Sequence, residues 1–73
     1  MTMLEKIVFL EEIMDVDEGT LSPEMFLDDI EEWDSLSVLT LMAEMKTNFD
    51  IILTTKQVNE FKTVEDVCGV IPD

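Results

Sequence analysis

The longest apolar pattern in the sequence covers residues 35–48 and repeats with the period of an α-helix. At 100° per residue, one face of this helix carries Val38, Leu41, Met42, Met45 and, just beyond, Phe49. A stripe of this width is the face that an amphipathic helix buries. The pattern therefore predicts an all-α core packed around this helix.

Cross-links do not supplement that core. The chain has 73 residues with one cysteine, Cys68, and no histidine, so it lacks the residues for an internal disulfide or an ordinary zinc site. We expect a single domain over residues 1–73, near the lower size limit for folding by packing alone. Cys68 falls on the apolar face of the last predicted helix, where a buried small hydrophobe is expected.

Capping-box spacings mark the starts of three other helices. Thr2 and Glu5 begin a first helix over Met3–Met14, with the polar face of Glu5, Lys6, Glu11 and Glu12 expected outside. Thr54 begins a short third helix that ends near Phe61, and Thr63 begins a last helix stopped by Pro72. The prediction is a four-helix bundle with a short third helix.

A long connector, residues 15–33, joins the first two helices. Ser22 and Pro23 predict one helical turn near residues 23–27. The start of the connector resembles a calcium loop, but Thr20 and Phe26 stand where an EF-hand needs glycine and glutamate, which favours a plain acidic turn. The later carboxylates are expected in water: Asp28, Asp29, Glu31 and Glu32.

The charge of the chain constrains its partners. Eighteen acidic residues against four lysines give a formal net charge of -14, so we expect neither nucleic acid nor an anionic membrane as a partner. Basic protein surfaces fit this charge. No segment has the length of a membrane span, and the first residues lack a basic signal-peptide region, so we expect a cytoplasmic monomer.

Enzymatic chemistry is not expected. The chain has no histidine to act as a base and no glycine-rich phosphate loop. Its carboxylates lie mostly on predicted helix exteriors and in loops, and so small a bundle has little room for a substrate pocket. We therefore predict no catalytic residue and no metal ligand.

The boundary at Asp34 and Ser35 has two interpretations. Ser35 is either an ordinary N-cap or a hydroxyl left free for modification, which requires Asp34 to cap the helix instead. A second apolar cluster on this helix, Leu36, Leu39 and Ala43, is equally open. It packs beneath the connector, forms an exposed surface that docks a partner, or does both residue by residue.

Together these residues resemble the acyl carrier protein family. Asp34-Ser35-Leu36 matches its signature at the start of the second helix, Phe49-Asp50 follows at a similar distance, and residues 63–66 resemble the start of its last helix. The resemblance covers nearly the whole chain. It implies a bundle of acyl-carrier type with 4′-phosphopantetheine attached covalently to Ser35.

The resemblance also implies how such a chain works. A separate phosphopantetheinyl transferase, which recognises Asp34 and Leu36 beside Ser35, would load the arm, making the chain a phosphoprotein. The arm would then hold an acyl or aminoacyl group as a thioester for biosynthetic loading, condensing or transferring enzymes. For these partners we expect the apolar surface of Leu36, Leu39 and Ala43, with the connector carboxylates Asp28, Asp29, Glu31 and Glu32 steering basic enzymes.

Two features depart from the fatty-acid carriers of this family. Trp33 replaces the usual small residue before the signature, and Glu44 is the lone acidic residue on the second helix. This is more similar to specialised stand-alone carriers, although Trp33 also suits a hydrophobic staple for the connector. The alternative from another class is an acidic helical adaptor without a prosthetic group, which explains the composition equally well.

Overall fold

A computed structural model describes residues 1–73 and contains four α-helices and no β-strand. The helices are α1 (Met3–Met14), α2 (Ser35–Phe49), α3 (Thr55–Glu60) and α4 (Val64–Cys68), and a 3₁₀ helix covers Leu27–Asp29 in the connector. The all-α prediction with its long connector is confirmed. The fourth helix, with five residues, is shorter than the third, with six.

Local capping rules explain where the helices begin. The three predicted capping boxes are present at Thr2, Thr54 and Thr63, each with its partner three residues later. The C-cap residues that follow α1 and α2 are Asp15 and Asp50, both in the left-handed conformation that aspartate tolerates better than most residues. Lys46 forms an ion pair with Asp50, one turn away, at the end of α2.

One core joins all four helices and the connector. The predicted stripe of α2 faces it, with Leu41 and Met45 fully buried and Val38, Met42 and Phe49 packed at its edge. Phe49 also meets Phe9 of α1 edge to face, with 5.9 Å between ring centroids. Leu27 and Ile30 bring the connector into the same core.

The helical turn predicted near residues 23–27 was placed too early. The backbone of Met25 and Leu27 instead pairs with residues 62–64, where the chain enters α4. The N–H of Leu27 donates to the carbonyl of Lys62 at 2.9 Å, and the N–H of Val64 donates to the carbonyl of Met25 at 3.0 Å. This pairing keeps Phe26 extended, so helical geometry begins only at Leu27.

Glu11 was predicted on the solvent side of α1, which is wrong. Its side chain is 2% exposed because the connector folds back over it. Oε2 of Glu11 accepts hydrogen bonds from the backbone N–H groups of Gly19, at 2.9 Å, and Leu21, at 3.0 Å. Oε1 has no hydrogen-bond partner. The carboxylate thereby fixes the first part of the connector to α1.

The last helix is shorter than its apolar pattern predicts. Val64, Val67, Cys68 and Ile71 are all buried as expected, but α4 ends at Cys68. The N–H groups of Val70 and Ile71 donate to carbonyls three residues earlier, so the chain continues in tighter turns before Pro72. The predicted face is correct and the predicted length is not.

Candidate functional site

Asp34 caps α2, which answers the question raised by the sequence. Its backbone is extended, at φ −127°, and its Oδ1 accepts a hydrogen bond from the N–H of Ser37 at 3.0 Å. Ser35 is therefore the first residue of the helix and not its cap. Its side chain is exposed and its hydroxyl has no hydrogen-bond partner in the protein. Of the two interpretations, the free hydroxyl is the one observed.

The surroundings of Ser35 suit a covalently attached phosphate group. The backbone N–H groups of Ser35 and Leu36 have no acceptor within the protein, since the first bond of the helix runs from Val38 to the carbonyl of Asp34. Unpaired N–H groups and the positive end of the helix dipole favour an anion at this position. The first turn of α2 also contains no acidic residue. The residues present thus fit a phosphodiester on the Ser35 hydroxyl.

Ser37 is a residue of this site that the sequence analysis missed. It is 6% exposed, and its hydroxyl donates a hydrogen bond to the carbonyl of Glu32 at 2.6 Å. The available signal was its position, three residues after the cap, where side chains often reach back across the start of a helix.

A groove of about 610 Å³ lies beside Ser35, between α2 and α3. Trp33 and Ser35 line it together, with Trp33 half-buried against the core. This packing agrees with the role of Trp33 as a hydrophobic staple for the connector. The other lining residues are Asp28, Asp34, Val38, Leu39, Met42, Thr55, Val58, Asn59 and Phe61. The free hydroxyl therefore opens beside a mixed polar and apolar groove.

The second apolar cluster of α2 is on the surface. Leu36 is 72% exposed and Leu39 64%, and Ala43 is exposed as well. The interpretation in which these residues pack beneath the connector is thus wrong. The connector carboxylates expected in water are all exposed: Asp28, Asp29, Glu31 and Glu32.

Cys68 is remote from this chemistry. Its side chain is fully buried, as the sequence predicted. Burial raises the pKa of the thiol, Lys6 opposes that shift, and Glu65 adds to it. Because the thiolate is the reactive form, a buried thiol with a raised pKa is a poor nucleophile.

No group of three or more cysteine, aspartate or glutamate side chains is arranged to hold a metal ion. None of the four helices combines the length and the apolar character needed to cross a bilayer.

Comparison with known proteins identifies one family. A family model described as "Phosphopantetheine attachment site" matches residues 8–71, which runs from the middle of α1 to beyond α4. No curated protein and no solved structure gives a significant match.

Proposed function

The chain belongs to the phosphopantetheine attachment-site family, and from this premise we propose that it is a carrier that bears its arm on the hydroxyl of Ser35. Domains of this family carry 4′-phosphopantetheine on a serine and are generally non-catalytic. The resemblance to acyl carrier proteins and the predicted cofactor are therefore confirmed. The proposal concerns which serine carries the arm, what loads it and what it holds.

The chain has three serines, and their exposure and hydrogen bonds favour Ser35 as the site of attachment. Ser35 has an exposed, unbonded hydroxyl, whereas Ser37 is buried and bonded to the carbonyl of Glu32. Ser22 is half-buried in a turn that is closed by a hydrogen bond from the N–H of Met25 to the carbonyl of Ser22. This turn is not at the start of any α-helix. Only Ser35 combines a free hydroxyl with unpaired N–H groups at a helix start.

A separate phosphopantetheinyl transferase would supply the chemistry, including the magnesium ion. The Ser35 oxygen forms a bond to the phosphorus that bears pantetheine, the pyrophosphate bond of coenzyme A breaks, and its nucleotide part leaves. The serine proton passes to a base of the transferase. The chain contributes the position of the hydroxyl, with Asp34 and Leu36 beside it for recognition. Once attached, the arm supplies a thiol that holds an acyl or aminoacyl group as a thioester.

Partner enzymes would dock on the face of α2 next to Ser35. Leu36, Leu39 and Ala43 form an exposed apolar area there. Contiguous apolar patches on a protein surface often mark sites that bind another protein. The acidic connector residues Asp28, Asp29, Glu31 and Glu32 precede this face and would attract basic enzyme surfaces. The partners proposed are acyl- or aminoacyl-loading, condensing and transferring enzymes.

The composition of α2 supports a specialised biosynthetic role over a general fatty-acid role. Glu44 is the lone acidic residue of the helix, so its docking face is mainly apolar. Trp33 occupies the position before the signature and lines the groove beside Ser35. Both features differ from the acidic second helix and small preceding residue of general fatty-acid carriers.

Intact-protein mass spectrometry tests the proposal. The apo protein is incubated with coenzyme A and a broad-specificity transferase, alongside Ser35→Ala and the control variant Ser22→Ala. We expect one phosphopantetheinyl group on the wild type and on Ser22→Ala, and none on Ser35→Ala. An unmodified wild type would favour the adaptor alternative, and a modified Ser35→Ala would move the attachment to another residue.

A further inference from the structure

The first turn of α2 contains two serines with opposite environments, and we propose that one positions the other. Ser37 is a positioning residue: its buried hydroxyl holds the turn before α2 in the shape that presents the Ser35 hydroxyl to the transferase. This inference rests on the proposed function, because it takes Ser35 as the modified residue. It assigns a role in presentation to a side chain that never touches the incoming group.

The hydrogen bonds around Glu32 link Ser37 to the turn before α2. Its carbonyl accepts from the hydroxyl of Ser37 at 2.6 Å and from the N–H of Asp34 at 3.0 Å. The N–H of Ser37 in turn donates to the carboxylate of Asp34 at 3.0 Å. Ser37 follows Ser35 and therefore bonds across it to two residues that precede it, through its side chain to Glu32 at the end of the connector and through its backbone to the helix cap Asp34.

Ser35 has no contacts of this kind of its own. Neither its hydroxyl nor its backbone N–H is hydrogen-bonded within the protein, so its direction depends on the turn that precedes it. Three hydrogen bonds hold that turn. The N–H of Trp33 donates to the carbonyl of Ile30 at 3.1 Å, and the carbonyl of Glu32 accepts the two bonds described above. The Ser37 hydroxyl is the one side-chain donor in this set.

Loss of that hydroxyl has a specific kinetic consequence. Ser37 is buried, whereas the docking residues Leu36 and Leu39 are exposed and unaltered, so binding of the carrier to the transferase should change little. The alignment of the Ser35 oxygen should suffer instead, and alignment acts on the chemical step. We expect kcat to fall roughly three- to tenfold, the range set by one hydrogen bond, with KM for the carrier nearly unchanged.

The test compares variants that differ in one hydroxyl. Ser37→Ala removes the bond to Glu32, and Ser37→Thr keeps a hydroxyl and should recover most of kcat. Thr40→Val is the matched control, because it removes a hydroxyl bonded at 2.9 Å to the carbonyl of Leu36 on the same helix, and it should leave kcat unchanged. Ser37→Cys, with a weak S–H donor, replaces Ser37→Ala if that variant does not fold.

A second measurement is independent of loading. Trp33 is the single tryptophan of the chain and adjoins the turn, so its fluorescence reports on the turn in the apo protein. Ser37→Ala should shift the emission of Trp33 to longer wavelength in the folded protein, and Thr40→Val should not.

The outcomes separate this inference from the proposed function. A wild type that accepts no phosphopantetheine contradicts the function, while the Trp33 emission still tests the turn. A loaded wild type with a folded Ser37→Ala or Ser37→Cys whose kcat lies within about twofold of it overturns the inference. An equal loss of kcat in Thr40→Val, or no recovery in Ser37→Thr, overturns it as well.

Discussion

The buried carboxylate of Glu11 accepts a hydrogen bond from the backbone N–H of Leu21, with 3.0 Å between Oε2 and N. Leu21 is itself buried, and the same oxygen binds the N–H of Gly19. No lysine pairs with Glu11. One carboxyl side chain therefore accepts from two backbone donors of the connector, and the donor of buried Leu21 would otherwise lose its partner on folding.

Replacing Glu11 by alanine should destabilise the protein by about 1 to 3 kcal/mol, because the buried N–H of Leu21 is left without an acceptor. Glu11→Gln keeps an oxygen acceptor and should cost less than about 1.5 kcal/mol. Urea unfolding measures both free energies. Glu12→Ala, at the exposed neighbouring position, is the control, and an equal loss in Glu11→Ala and Glu12→Ala would disprove the anchoring role.

Two leucines of α2, two residues apart, should separate stability from docking. Leu41 is fully buried and Leu39 is 64% exposed. Leu41→Ala should cost about 2 to 5 kcal/mol, which is most of the stability of so small a domain. Leu39→Ala should change the free energy of unfolding by less than about 0.5 kcal/mol but weaken binding of the transferase. Unfolding and binding titrations together test this, and wild-type affinity in a folded Leu39→Ala would remove Leu39 from the docking surface.

Charge reversal in the connector should slow association with basic partners. Glu31 and Glu32 are exposed and precede Ser35 by three or four residues, so Glu31→Lys/Glu32→Lys should lower the association rate and reduce its salt dependence. Stopped-flow binding at two ionic strengths measures both effects. Glu12→Lys/Glu18→Lys makes the same change of charge on α1 and the turn after it. Equal slowing in both variants would indicate net charge, and unchanged rates at low salt would contradict steering.

The capping box at Thr63 should add a pH-dependent term to stability. The backbone N–H groups of Lys62 and then of Thr63 lower the pKa of Asp66 from its ordinary value of 3.8. Because the pKa is lower in the folded state, this contribution is complete above the unfolded value and is lost as the pH falls through the folded one. The difference in Tm between wild type and Asp66→Asn should therefore narrow from pH 6 toward pH 3.

Acidification also relieves repulsion among the many other carboxylates, which affects both proteins alike, so the difference in Tm is the informative quantity. Asp29→Asn, at an exposed position in the connector, provides the control for loss of one charge. A difference for Asp66→Asn that is constant with pH would show that the capping box is not the source.

Helix starts were predictable because capping is local. Thr2, Thr54 and Thr63 each find their partner three residues away, so the rule needs no tertiary structure. The same locality made Asp34 a recognisable alternative cap and Ser35 a recognisable free hydroxyl.

The connector could not be predicted in the same way. The start of its 3₁₀ helix depends on two hydrogen bonds, from the N–H of Leu27 to the carbonyl of Lys62 and from the N–H of Val64 to the carbonyl of Met25, which join distant parts of the chain. Glu11 is buried by residues eight and ten positions later, which the face of an isolated helix does not reveal. Ser37 looks like an ordinary polar residue in the sequence, and its hydrogen bond to the carbonyl of Glu32 is visible only in the folded chain. Contacts between distant parts of the chain account for the first two errors, whereas the bond of Ser37 to Glu32 is short-range and its position after the cap was a local signal.

The most direct test of the account is to locate the arm on one residue. All three serines lie in the single peptide of residues 7–46 released by cleavage after lysine, so its total mass does not distinguish them. Fragmentation of this peptide from the loaded protein does, because Leu36 separates Ser35 from Ser37 and Ser22 lies well upstream. The account predicts that the N-terminal fragments first gain the phosphopantetheinyl mass when they reach Ser35, and that C-terminal fragments that include Ser37 but not Ser35 lack it. The same mass on Ser22 or Ser37 would contradict it.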